Sequence, residues 1–202
     1  YLTIVKIEVT TEEAAYWLFE TLNDRGLELS VTDLLKNYLL RQAGSYRSDA
    51  KRGWNQLQTK ISRSNMPTFV RHWWLSANGI VREKELFRHV SKKYKSDGDI
   101  VGLLSDLNDA VDPYAALLDT SNSYWSNIDD PSRGAITDHI EELTVFRVTQ
   151  CYPALLAVLG AVEDSKQIER AFKLITSVSV RFSIATSGRG SGSVEKAFSD
   201  LA

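Results

Sequence analysis

Residues 19 to 37 constrain the fold more than any other stretch. They read Phe-Glu-Thr-Leu-Asn-Asp-Arg-Gly-Leu-Glu-Leu-Ser-Val-Thr-Asp-Leu-Leu-Lys-Asn. This is the end of one helix, a tight turn and the start of a second helix. Gly26 suits the left-handed position just past a helix end. Ser30 followed by Asp33 is a capping box, and Leu29 with Leu34 forms a hydrophobic staple across it. Leu34, Leu35, Tyr38 and Leu39 continue as a 3.6-residue stripe up to Gly44. The turn itself, Asn23-Asp24-Arg25-Gly26, gathers polar and charged groups where a plain helical hairpin needs only a glycine.

The same grammar recurs along the chain. Thr10 and Glu13 form another capping box, opening a helix with Ala14, Ala15, Leu18, Phe19 and Leu22 inward. Residues 48–64 predict a basic helix with Trp54, Leu57 and Ile61 inside. Pro67 opens a helix carrying Phe69, Val70, Trp73 and Trp74, and Asn78-Gly79 closes it. Residues 82–95 predict a strongly basic helix whose apolar face is Leu86, Phe87 and Val90. Residues 97–119 follow with Leu103, Leu104, Leu107 and Val111 buried; Pro113 is expected to kink or break this helix. Residues 122–131 read as a connection. A helix over 132–146 turns Ile136, Ile140, Leu143 and Phe146 inward. An almost wholly apolar helix over 154–162 and a long one over 166–186, with Ile168, Phe172, Ile175 and Val178 on one side, complete the main body. Residues 187–193 read as a flexible loop before a last short helix, 194–202.

Only residues 2–9 alternate as a half-buried strand does, with Val5, Ile7 and Val9 on one face. The expected fold is therefore mainly α, a multi-helix bundle-like domain with one short N-terminal β-strand. One strand cannot make a sheet, and Tyr1 rather than Met opens the sequence, so the expectation is a piece of a longer protein.

Composition narrows the chemistry. With 202 residues, 43% hydrophobic and 25% charged, the chain matches ordinary globular domains. No apolar run approaches the roughly 18 to 20 residues that cross a bilayer, and no basic region followed by an apolar core opens the sequence, so no signal peptide is expected. The single cysteine, Cys151, excludes an internal disulfide and any thiolate-rich metal site. A cytoplasmic location is the simplest expectation. His72, His89 and His139 are isolated in sequence and lack metal-ligand spacing. No Walker-type loop, nucleophile elbow or self-sufficient catalytic constellation occurs.

Charge is segregated. Residues 41–95 hold 13 Lys/Arg and 3 Asp/Glu, a balance of +10. Residues 96–145 hold 1 Arg and 11 Asp/Glu, a balance of −10. Either the two segments face each other inside the domain or they make a two-faced surface. Lys84, Arg88, Lys92, Lys93 and Lys95 are the candidate contacts to double-stranded DNA; a nucleic-acid groove needs basic side chains for phosphate, and sometimes aromatics for stacking. Trp54, Trp73 and Trp74 are either such stacking groups or core.

Residues 14–37 also resemble a known family. Ala14-Ala15-Tyr16, then Phe19-Glu20-x-Leu22-Asn23-Asp24-Arg25-Gly26-x-x-Leu29-Ser30-x-x-Asp33-Leu34-Leu35-Lys36-Asn37, is similar to the second motif of the DGQQR-domain family. That family forms the N-terminal part of GmrSD-like, modification-dependent (type IV) restriction systems. The resemblance implies a ParB-like core that binds and hydrolyses a nucleotide, with NTP and Mg as cofactors of the longer parent and none in this chain. It implies an HNH nuclease domain as partner, in cis or in trans, a role in antiphage defence, and no membrane. Homo-oligomers are a further expectation. The resemblance places Asn23, Arg25 and Gly26 beside the nucleotide and assigns no catalytic residue and no metal ligand to this chain. Residues 1–44 would be the end of the ParB-like domain and 45–202 a helical domain. The Asp-Gly-Gln-Gln-Arg motif itself does not occur, nor does an HNH motif. The alternative is a non-enzymatic helical scaffold or protein-interaction domain.

Overall fold

The computed structural model describes residues 30–185. Eight α-helices follow one another: α1 (Val31–Gln42), α2 (Arg47–Lys60), α3 (Met66–Asn78), α4 (Glu83–Lys93), α5 (Asp97–Leu118), α6 (Ser132–Val145), α7 (Tyr152–Ala161) and α8 (Ser165–Ala185). Short 3-10 turns at Gly44–Tyr46 and Ser123–Asn127 interrupt the series. The described residues contain no strand. The strand expected at 2–9, the first helix, the Asn23–Gly26 turn, the loop at 187–193 and the closing helix lie outside them.

α5 is the axis of the fold. It packs against α1, α2, α3, α7 and both 3-10 turns. α1 and α4 pack together, α6 and α8 pair, and α7 meets both α3 and α8. One apolar cluster runs through all eight helices, from Leu35 in α1 to Phe172 in α8. The expected boundary at residue 44 falls in the turn after α1, where Gly44 takes a φ of 48°. α1 nevertheless buries Leu35, Tyr38 and Leu39 in the same core as the later helices.

The caps act as local stop and start signals. Ser30 Oγ accepts from the Asp33 amide at 3.2 Å, and Asp33 Oδ2 accepts from the Ser30 amide at 3.3 Å. Ser96 and Asp99 repeat this box at the head of α5. Gly79, with a φ of 84°, closes α3 in a conformation that side chains other than glycine's resist.

Three expectations are corrected. Of the two outcomes expected at Pro113, a kink or a break, the break does not occur: α5 runs from Asp97 to Leu118. Proline removes one amide hydrogen bond at a cost of about 3 kcal/mol. The burial of Val111, Pro113, Tyr114, Ala116 and Leu117 around it offsets that cost. Phe146 is not inward but 46% exposed. The helix ends at Val145, Arg147 adopts a φ of 54°, and the reversed chain buries Val148 instead. Val178 is exposed too, because the inward line of α8 runs through Ile168, Phe172, Thr176 and Ser179. The helix at 152–161 is buried only over its first half, Tyr152–Leu156; Gly160 and Ala161 face solvent.

The deepest packing lies where α3, α5 and α7 meet. Tyr114 and His72 Nδ1 share a buried hydrogen bond of 3.0 Å, and Tyr152 lies edge-on to both rings. Burial, reinforced by the neighbouring Tyr152, pushes the Tyr114 phenol far above its ordinary value. Burial and Cys151 push Tyr152 up to about 12.

Candidate nucleic-acid interface

α4 has the highest cationic density in the described fold, and its sequence explains its position. Leu86 and Val90 are four residues apart and buried, so they seat one face of the helix. Lys84, Arg88 and Lys92 share that same spacing on another face, and all three are exposed. Lys95, also exposed, lies two residues beyond the helix end. Glu83 and Glu85 in the first turn and Lys92 and Lys93 in the last complement the helix dipole.

Tyr38 of α1 holds α4 in place. Its hydroxyl lies 3.0 Å from the Ser91 carbonyl and 2.6 Å from the Tyr94 carbonyl, in position to donate to either. Ser91 lies in the last turn of α4 and Tyr94 caps it, where helix geometry leaves carbonyl acceptors without helical partners. The Tyr38 ring also meets Phe87 edge-on at 5.8 Å. Burial, then the charge of Asp99, raises the Tyr38 phenol above its ordinary value, which keeps it a neutral donor. The sequence offered Tyr38 only as one member of an apolar stripe. Its phenol is a positioning group that no local pattern marks.

The five cations expected to meet DNA are not equivalent. Lys84, Arg88, Lys92 and Lys95 are exposed. Arg88 pairs loosely with Glu85 at 3.9 Å, a contact of exposed groups that contributes little. Lys93 turns back onto the protein: its Nζ bonds Asn78 Oδ1 and lies over the rings of Trp74 (5.7 Å) and Tyr94 (5.2 Å). Asp99 lies at the Lys95 end. Its carboxylate accepts the amides of Ser96 and Lys95, and these bonds hold it below the usual carboxylate range.

Trp54, Trp73 and Trp74 are all core residues, at most 5% exposed. Base stacking on them is therefore closed off, and recognition by this face rests on phosphate contacts. The charge segregation resolves partly within the fold. α2 packs on α5, where Lys60 Nζ donates to Asp112 at 2.8 Å, so basic and acidic segments meet there.

Other candidates for chemistry are structural in the described residues. Cys151 is fully buried, and burial raises its thiol to about 11, so it is no nucleophile. His139 lies 3.2 Å from Glu142 on the same helix, and His89 packs against Trp74. No group of three or more His, Cys, Asp or Glu with metal-binding geometry occurs among the described residues. No described helix is long and apolar enough to cross a membrane.

Asn23, Arg25 and Gly26 lie outside the described residues. The helix that follows them begins at the Ser30–Asp33 cap. Burial alone would raise the Asp33 carboxyl, but hydrogen bonds from Ser30 and the charge of Arg63, 3.3 Å away, outweigh it and lower it. Comparison of the chain with protein-family models, curated proteins and solved structures found no match.

Proposed function

We propose that this chain is the helical part of a nucleotide-hydrolysing regulatory subunit of a GmrSD-like, modification-dependent restriction system, and that α4 is its face for the phosphate backbone of duplex DNA. One observation carries the DNA reading: Lys84, Arg88, Lys92 and Lys95 are exposed along α4 and the two residues after it. At about 1.5 Å of rise per residue, that element matches several phosphates of a duplex. The system-level reading rests on the motif resemblance at residues 14–37. In that reading Asn23, Arg25 and Gly26 complete a nucleotide pocket for NTP and Mg, an HNH nuclease domain cuts, and the assembly works in the cytoplasm.

A second reading has its own support. The Lys60–Asp112 and Arg63–Asp33 pairs use part of the segregated charge within the fold, as an assembly scaffold would. Titration of the chain with a short duplex at two salt concentrations, with light scattering in parallel, separates the two. Salt-sensitive binding of a monomer supports the DNA face. A dimer that ignores the duplex overturns it in favour of the scaffold.

A further inference from the structure

The exposed side of α8 changes character along the helix. Over the first half its exposed positions are polar: Lys166, Gln167, Arg170 and Lys173. From Leu174 onward the only exposed charge is Arg181, while Leu174 is 65% exposed and Val178 49%. Leu174, Val178 and the half-buried Phe182 follow at four-residue spacing, so they form one apolar row. The buried line of Ile168, Phe172, Thr176 and Ser179 is a different face, on the side where α8 packs against α6 and α7. Single exposed apolar residues are ordinary, but a contiguous row marks a contact surface.

Two exposed cations border this row. Arg170 comes four residues before Leu174 and Arg181 seven after it, so helix periodicity sets both beside the row. Residues 170–185 contain no Asp or Glu. A second copy of the chain therefore fits the row badly. In a two-fold pairing centred between Leu174 and Val178, Arg170 of one copy comes level with Arg181 of the other, and like charges facing across a contact are unfavourable. The chemistry of the row calls for an apolar segment flanked by acids.

The chain itself supplies one shortly after Ala185. We propose that residues 194–202 dock as an antiparallel helix on the Leu174, Val178 and Phe182 row of α8. Val194, Ala197, Phe198 and Leu201 recur at the i, i+3, i+4, i+7 spacing of one helix face; Glu195 and Asp200 flank that face, and Lys196 falls opposite it. A register that sets Leu201 against Leu174 brings Phe198 level with Val178, Val194 with Phe182 and Glu195 with Arg181, and leaves Asp200 toward Arg170. The intervening residues, 186–193, reach up to about 26 Å when extended, well beyond the roughly 10 Å between packed helix axes. Their number also falls within the usual range for connections between neighbouring helices, about 2–8 residues. So short a helix is marginal alone in water, so its formation depends on the row it covers.

The test uses the isotope-labelled 202-residue chain. Nuclear Overhauser effects are expected from the Phe198 ring to the Leu174 and Val178 methyl groups, with amide exchange at residues 198–201 at least about tenfold slower than in an unstructured peptide. Leu174→Asp with Val178→Asp is expected to abolish both signals. These side chains are exposed, so the double variant keeps its fold, as a thermal melt checks. Should it fail to fold, Phe198→Ser is expected to release the same protection and takes its place. Arg181→Glu is expected to speed exchange at 198–201 about threefold, and adding Glu195→Arg to reverse that. Coil-like exchange at 198–201, protection that survives the aspartate pair, or Leu174 contacts that prove intermolecular in a mixed-label sample overturns the proposal. Failure of the charge swap to restore protection overturns the register that joins Glu195 to Arg181.

Discussion

α4 and α5 are neighbours in sequence and opposites in use. α5 is acidic, holding Asp97, Asp99, Asp106, Asp109 and Asp112 and no Lys or Arg, yet it buries nine of its 22 residues. α4 is basic and buries two of its 11. On α5 charge is an outer fringe on a load of core side chains, and part of it is neutralised by Lys60 of α2. On α4 the charge is most of what the helix offers, and its place depends on Leu86, Val90 and the Tyr38 phenol. Segregated charge in a sequence thus has two outcomes in one fold. On the central helix Asp112 is drawn into pairing across the fold; on the peripheral one Lys84, Arg88 and Lys92 stay exposed.

The largest expected effect lies in the centre. Tyr114→Ala removes a fully buried ring and the partner of His72 Nδ1, and should cost about 3–5 kcal/mol in urea denaturation. Phe87→Ala on α4 empties a half-buried site and should cost at most about 2 kcal/mol. Comparable losses at the two sites would erase the distinction between the helices.

Alkaline pH should probe the same centre. Tyr114 and Tyr152, both raised by burial, hold their protons more tightly folded than unfolded. Their contribution is complete below the ordinary tyrosine value of 10.0 and is lost as pH rises through the folded values, about 12 for Tyr152. A melting temperature followed against pH should therefore fall above about pH 10, with phenolate absorbance appearing as the chain unfolds. Full phenolate absorbance in a still-folded protein at pH 11 would contradict the packing around α5.

The smallest stability effect should be the most local. Tyr38→Phe keeps the ring against Phe87 and removes the donor to the α4 carbonyls, so it should cost about 1 kcal/mol. Hydrogen exchange should accelerate at the end of α4 and not in α5. Uniform acceleration would mean that Tyr38 supports the whole core and does not position α4 in particular.

Much of this fold was legible in advance, for reasons that differ by element. Leu86 with Val90, and Ile136 with Ile140 and Leu143, announce their helices because spacing alone puts them on one face. The cap at Ser30 was readable from its residue types. The identical Ser96–Asp99 cap carries the same signal. What stayed hidden depends on contacts distant in sequence. Pro113 is tolerated because of neighbours on other helices, and Phe146 is exposed because Arg147 reverses the chain with a positive φ. Lys84, Arg88 and Lys92 could be aligned from spacing. The different role of Lys93 could not, because Asn78 and Trp74 come from α3.

The central claim, that α4 presents its cations to a polyanion, is tested most directly by the salt dependence of duplex binding. Four phosphate contacts predict a slope of log K against log salt of about −3 to −4. Replacing Lys84, Arg88, Lys92 and Lys95 together with Gln should bring the slope close to zero while the melting temperature stays near that of the unaltered chain. An equally steep slope in the fourfold variant would place the DNA contacts elsewhere and contradict the account.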